Sequence, residues 1–133
     1  MNIYITDCDH ENLKQEESVL AAAGMHAALL QCKTEDELIG QCAQADILLN
    51  QYAPITRRVM ENLPRLKFIV RYGVGTDNID VAAAEQLGIQ VGNVPDYGMN
   101  EVADHAITCM LALLRKLPQM NDQTKGGQWD YTT

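Results

Sequence analysis

Residues 66–80 read LKFIVRYGVGTDNID, and the order of residue types in them decides the fold. LKFIVR (66–71) is a short apolar run of strand length. Two glycines, Gly73 and Gly75, bracket Val74 immediately after it. Glycine lets the backbone turn sharply and brings main-chain N–H groups within reach of an anion. Asp80 then stands where a side chain caps a helix over Val81–Leu87, and Gly88 is placed to stop that helix. Strand, tight turn and capped helix make one βα unit, the building block of a parallel sheet.

Working outward, the same alternation recurs at intervals of about 20 residues along the chain. Ile3–Thr6 is the first apolar run. Leu13, Val19, Leu20 and Ala23 then recur at helical spacing over 11–23, with Gly24 as the stop. His26–Gln31 forms the second strand. Thr34 followed by Glu37 is a capping box that opens a helix through about Ala43. Asp46–Asn50 is the third strand, and Thr56–Leu63 a short helix ended by Pro64. Leu66–Arg71 is the fourth strand and Ile89–Val94 the fifth. Asn100 is expected to cap a long helix from Glu101 to about Leu117, broken at Pro118. NDQTKGGQWDYTT (121–133) is polar, rich in glycine and without periodicity, so it reads as a linker or a disordered tail. The expected fold is α/β, a flavodoxin-like five-stranded parallel sheet with helices on both faces plus a long C-terminal interdomain helix. In such sheets ligands sit beyond the C-terminal ends of the strands. The expected division is 1–100 for the sheet domain, 101–118 for the interdomain helix and 119–133 for the tail.

Composition narrows the function. The chain has 133 residues, 47% of them hydrophobic, with one Trp and one Phe, so its core is built from aliphatic side chains. A formal net charge of −8 argues against a nucleic-acid partner, which needs clustered Lys and Arg to displace counterions. A small anionic substrate stays open, because a nest of backbone N–H groups overrides net charge locally. Cys8, Cys32, Cys42 and Cys109 are dispersed with no C-x-x-C, so reduced thiols are expected. The N-terminus MNIYITDCD is acidic where a signal peptide would be basic, and no apolar run approaches the roughly 18 residues that span a bilayer. A cytoplasmic protein without a membrane partner is expected.

Gly73-Val74-Gly75 is no dinucleotide fingerprint, since the third glycine is missing and position 78 is Asn. Read by itself it is either a plain tight turn or an anion-holding loop. Asp7-Cys8-Asp9-His10 gathers metal-ligand types, but the remaining ligands of a structural site are not at hand, and carboxylates at a strand end more often cap or face solvent. A phosphoacceptor domain of the response-regulator type shares this sheet order but needs Asp after the third strand, where this chain has Asn50, and Lys after the fifth, where it has Asn93-Val94-Pro95. That reading is rejected.

Five strings resemble the D-isomer-specific 2-hydroxyacid dehydrogenases: QCKTEDELI (31–39), NQYAPIT (50–56), RYGVGTDNID (71–80), NVPDYGMNEVADHA (93–106) and GGQWD (126–130). Within that family they are most similar to the C-terminal-binding-protein-like and phosphoglycerate-dehydrogenase-like branch. The resemblance implies that the amides of Gly73, Val74 and Gly75 hold a substrate carboxylate. It also implies that Val74 and Val102 line the NAD site, and that Gln51 and Tyr52 face the substrate side chain. Taken alone, Tyr52 is equally a half-exposed loop aromatic. The family's catalytic Arg, Glu and His belong to a later cofactor-binding domain and match nothing here; His10, His26, His105 and Arg71 are not at those positions. The chain is therefore expected to be the N-terminal substrate-domain portion of an NAD-dependent oxidoreductase acting on a D-2-hydroxy acid or 2-keto acid. It is expected to be inactive alone and to form a homodimer, as family members typically do. The competing implication is a peptide-binding or regulatory module like the C-terminal-binding proteins.

Overall fold

The computed structural model describes residues 1–129. Contacts divide it into two compact units, Met1–Pro95 and a second beginning at Asp96. The first unit alternates β1 (Ile3–Ile5), α1 (Lys14–Ala22), β2 (Ala27–Leu29), α2 (Glu35–Gln41), β3 (Ile47–Asn50), α3 (Arg57–Glu61), β4 (Phe68–Arg71), α4 (Val81–Leu87) and β5 (Gln90–Gly92). All four strand pairs are parallel, in the order β2-β1-β3-β4-β5. This is the expected five-stranded sheet. The crossover from β1 to β2 runs opposite in direction to the three that follow, so one handedness places α1 on one face and α2, α3 and α4 on the other.

Local chemistry sets the helix boundaries. Thr34 and Glu37 form the capping box at the start of α2, the threonine hydroxyl accepting from Glu37 N at 3.3 Å. Thr56 caps α3 and Asp80 caps α4, its Oδ1 accepting from Ala83 N at 2.9 Å. Gly88 follows α4 at φ 72° and Gly24 follows α1 at φ 68°, a left-handed conformation that costs glycine nothing.

The core lies between the sheet and the α2–α4 layer, where Leu38, Leu48, Ile55, Val59, Leu63 and Ile69 are almost wholly enclosed. Helix α1 contributes no buried residue, and Val19 is 72% exposed. The α1 face of the sheet is consequently half-buried at Ile47, Leu49, Phe68 and Val70. Helical spacing at Leu13, Val19 and Leu20 correctly marked a helix, none of whose residues is buried.

Two expectations for the second unit are corrected. Asn100 does not cap the long helix: α5 runs Met99–Leu114 from Gly98, with no side-chain cap. The stretch read as a linker or disordered tail is helical to Lys125, because α6 spans Leu117–Lys125. The break between the two helices falls at Lys116, whose φ is 49°. Pro118 occupies the first turn of α6, where its missing N–H has no intrahelical partner to lose. α6 is too polar to declare itself by periodicity; its Leu117 and Met120 line a groove with Leu111 and Ala112 of α5. Residues 130–133, the end of the expected tail, lie outside the described residues.

Candidate carboxylate-binding site

Two of the central strands lead into polar residues buried at the sheet's C-terminal edge: Thr6 and Asp7 after β1, Asn50 and Gln51 at the end of β3. Burying such groups is costly unless each finds partners. Asp7 Oδ1 accepts from Thr6 Oγ1 at 2.8 Å and from the N–H groups of Gln51 and Ala53, both at 3.2 Å. Its Oδ2 accepts from Tyr52 N at 2.7 Å. The acidic residue at the end of the first strand therefore neither faces solvent nor caps its own helix. It holds the loop after β3. Asn78, in the place of the missing third glycine, ties that loop to the one after β4. Its Nδ2 donates to Asn50 Oδ1 at 2.7 Å and to Ala53 O at 3.1 Å. A parallel bridge between Ile55 and Ile79 continues the tie.

The loop after β4 is thus fixed from beneath. Among the described residues, the N–H groups of Gly73, Val74 and Gly75 donate to no protein acceptor, whereas two of the loop's carbonyls are engaged. Val94 N donates to Gly73 O at 3.1 Å and Asn93 Nδ2 to Val74 O at 2.7 Å. Such a loop has two of its acceptors engaged and its donors open, the polarity an anion needs. The reason for glycine differs from the expected one. Neither Gly73 nor Gly75 is among the positive-φ residues. At Gly73 a Cβ would meet the Arg71 guanidinium, so the open glycine is what lets that guanidinium take its place there. The Arg71 guanidinium lies over the loop. Its Nε is buried without a hydrogen-bond partner, and it joins no ion pair among the described residues.

The remaining expected site residues divide. Val74 is exposed beside the loop. Val102 is exposed on α5, in the second unit. Tyr52 is 62% exposed, and its hydroxyl donates to Asp9 Oδ2 at 3.3 Å. Gln51 is buried and has both amide atoms on Asp9: Oε1 accepts from Asp9 N at 2.8 Å and Nε2 donates to Asp9 Oδ1 at 2.5 Å. The Gln51 amide, helped by the Tyr52 hydroxyl, holds the Asp9 carboxyl below the usual carboxylate range. Gln51 therefore reaches the site through Asp9. His10, next along, rests edge-on against the Tyr72 ring with centroids 5.4 Å apart, and its Nδ1 is 3.8 Å from Glu16. Burial pushes the Tyr72 phenol well above its ordinary range.

A cleft of about 350 Å³ opens where the chain diverges between β1 and β3, lined by residues 7–9, 31–33, Tyr52 and Ala53. This is the switch point of the sheet, where open α/β sheets bind ligands. Sequence reading missed Asp7, Asp9, Asn78 and Arg71 as members of one edge. The usable signal was a polar residue closing each apolar strand run, as in ITD (5–7), LLN (48–50) and IVR (69–71).

Residues 3–132 match the family described as D-isomer specific 2-hydroxyacid dehydrogenase, catalytic domain. The chain belongs to this family. It is 38% identical over 135 aligned residues to a D-3-phosphoglycerate dehydrogenase of Methanocaldococcus jannaschii, an alignment covering 98% of this chain and 24% of that protein. It is 43% identical over 75 residues to a glyoxylate reductase of Thermococcus gammatolerans, covering 56% of this chain and 22% of the relative. Among solved structures, the NAD+-bound 3-phosphoglycerate dehydrogenase of Entamoeba histolytica superposes with a TM-score of 0.75 at 30% identity, covering 87% of this chain and 40% of that one. The chain thus spans about a quarter of the length of these curated relatives. Among the described residues, no helix is long and apolar enough to cross a membrane, and no group of metal-ligating residues gathers.

Proposed function

We propose that this chain is the substrate-binding part of an NAD-dependent D-2-hydroxyacid dehydrogenase that interconverts a D-2-hydroxy acid and its 2-keto form. The observation that carries the proposal is that three N–H groups without a protein acceptor and an unpaired guanidinium fall on one loop, residues 71–75. A carboxylate placed there accepts from the amides of Gly73, Val74 and Gly75 and pairs with Arg71, and charge-assisted bonds of this kind are the strong ones. This leaves C2 of the substrate at the rim of the loop. NAD, when bound, supplies or takes the hydride at that carbon. The chain's own residues fit only part of such a cofactor. Val74 offers an exposed apolar side chain for the nicotinamide end, and the resemblance adds Val102 as a second cofactor contact. No described turn carries the glycine fingerprint that seats a pyrophosphate. The relatives' names put glyoxylate and 3-phosphoglycerate among the substrate classes to be considered. In the same proposal the protein is cytoplasmic, in keeping with its four free thiols, and α5 takes part in a homodimer.

The test is a titration of the 133-residue chain with pyruvate and oxalate, followed by amide shifts of residues 73–75. Saturation is expected in the millimolar range, about −4 kcal/mol. The pure chain is expected to oxidise no NADH with glyoxylate. Amides that stay still at saturating oxalate would remove the site, and steady NADH oxidation would show that the chain needs no further domain.

A further inference from the structure

The loop after β1 carries a carboxylate to which the cradle at residues 73–75 gives no task. Asp9 is exposed, yet it is held by its backbone N–H and by both carboxylate oxygens. The group that grips two of those points, Gln51, is itself buried and gives its whole amide to this purpose. A carboxylate that merely keeps a surface wet gains nothing from immobilisation, which costs rotamer freedom. A fixed carboxylate is instead a preformed acceptor. Each of its oxygens takes two hydrogen bonds. With one used on Oδ1 and one on Oδ2, Asp9 keeps two directions open, and the cleft between β1 and β3 lies there.

Its position relative to the cradle follows from the sheet. β1 and β4 both flank β3, so the loops that follow them leave the same edge roughly 10 Å apart, two strand spacings. The side chains between them are in contact, for His10 packs edge-on against Tyr72, the residue before Gly73. Tyr52 projects from the intervening loop with its hydroxyl on Asp9.

We propose that Asp9, held in place by Gln51 and Tyr52, determines which 2-hydroxy acid is taken: one whose side chain ends in a hydrogen-bond donor, such as a hydroxyl, and not one that ends in a phosphate. The proposal rests on the cradle reading above and deepens it. A donor reaching the cleft completes the coordination of a carboxylate already held by hydrogen bonds on one side. A phosphate monoester would bring roughly 1.5–2 like charges against that carboxylate, and no rotation of Asp9 relieves them without breaking the Gln51 clamp. Lys33, on the opposite wall, is the one cation in the lining and the group through which a phosphate would be held if Asp9 did not decide.

The experiment uses the 133-residue chain and reads the amide shifts of residues 73–75 during titration with D-glycerate, D-lactate and D-3-phosphoglycerate. D-Glycerate differs from D-lactate by the one hydroxyl in question. Wild type is expected to bind D-glycerate about tenfold more tightly than D-lactate, the effect of one hydrogen bond to a charged acceptor, and D-3-phosphoglycerate most weakly. Asp9→Leu should bring glycerate and lactate within about twofold of each other by removing that bond. Asp9→Asn, which keeps the shape and removes the charge, should raise the affinity for phosphoglycerate relative to lactate. Asp9 is exposed, so both variants are expected to keep the fold. A wild type that prefers phosphoglycerate and loses it in Lys33→Ala would overturn the proposal. So would a glycerate-to-lactate ratio untouched by Asp9→Leu, in either case with the cradle intact. If none of the three ligands moves these amides, the cradle reading falls and takes the specificity with it.

Discussion

Gly73 and Arg71 are the two residues whose meaning depends most on each other. A methyl group at position 73 would collide with Arg71 Nη1 and Cζ, both atoms at the far end of a flexible side chain. Gly73→Ala should therefore swing the guanidinium aside and leave the backbone where it is. Anion affinity at residues 73–75 is expected to fall about tenfold, the loss of one charge-assisted interaction, while the thermal midpoint stays within a few degrees. Arg71→Met should give the same loss. The double variant should lose no more than either single one, because both changes remove the same group. Titration of the four proteins with pyruvate checks the cycle, and additive losses would mean that Arg71 does not act at this loop.

At the scale of the element, α5 carries a surface in search of a partner. None of its residues is buried, and Ile107, Met110, Leu111, Leu113 and Leu114 are each more than half exposed. A helix apolar on most of its circumference is normally covered on most sides. Leu111 faces α6, where it lines a groove with Leu117 and Met120, whereas Leu114 is 70% exposed. If about five such side chains cover 400 Å² on association, the gross gain is roughly 10 kcal/mol at 25 cal/mol per Å². Association costs on the order of 4–15 kcal/mol, so a weak to moderate dimer is the expected state. Leu114→Glu should yield a folded monomer, and Leu111→Glu should loosen the α5–α6 hairpin. Sedimentation at ~100 µM, where a dimer of about 5.5 kcal/mol forms, checks both; a wild type that runs as a monomer there defeats the assignment.

For the whole molecule, pH is the readable variable. Burial, with the neighbouring Cys32, pushes the Cys42 thiol from 9.0 up to about 12. The raised value means that folding keeps the thiol neutral, so its contribution is complete below pH 9.0 and lost as pH rises toward about 12. Asp46 acts at the other limit. Its carboxyl is held below the ordinary range by the N–H of Asn2 at 2.7 Å, then by Arg65. That contribution is present above the ordinary carboxylate pKa and fades as pH falls through the lowered one. Urea midpoints measured across pH should therefore fall at both ends. Cys42→Ala should make the alkaline limb shallower, though the raised Tyr72 phenol keeps part of it, and Asp46→Asn should make the acid limb shallower, each leaving the other unchanged. A Cys42→Ala curve parallel to wild type above pH 9.0 would place the alkaline loss elsewhere.

What the chain's order alone determined were features whose causes lie within a few residues. Thr34 with Glu37, Asp80 with Gly88, and the glycine pair after LKFIVR each act across one turn, and they set the strand–helix rhythm and hence the parallel sheet. The family strings singled out the loops at 73–75 and 51–52, which the structure places on one edge of the sheet; their roles toward substrate belong to the proposal. Only the tertiary structure decided how that edge is held. Asp7 reaches the N–H groups of Gln51 and Ala53 across 44 and 46 residues, and Gln51 reaches Asp9 across 42. No local periodicity encodes such pairs, because sheet order brings them together. The helix at 117–125 belongs with them: its polar sequence shows little helical periodicity, and it lies beside α5 across the groove that Leu117 and Met120 line. Arg71 likewise becomes a candidate ligand only when its guanidinium folds back over the space that Gly73 leaves empty.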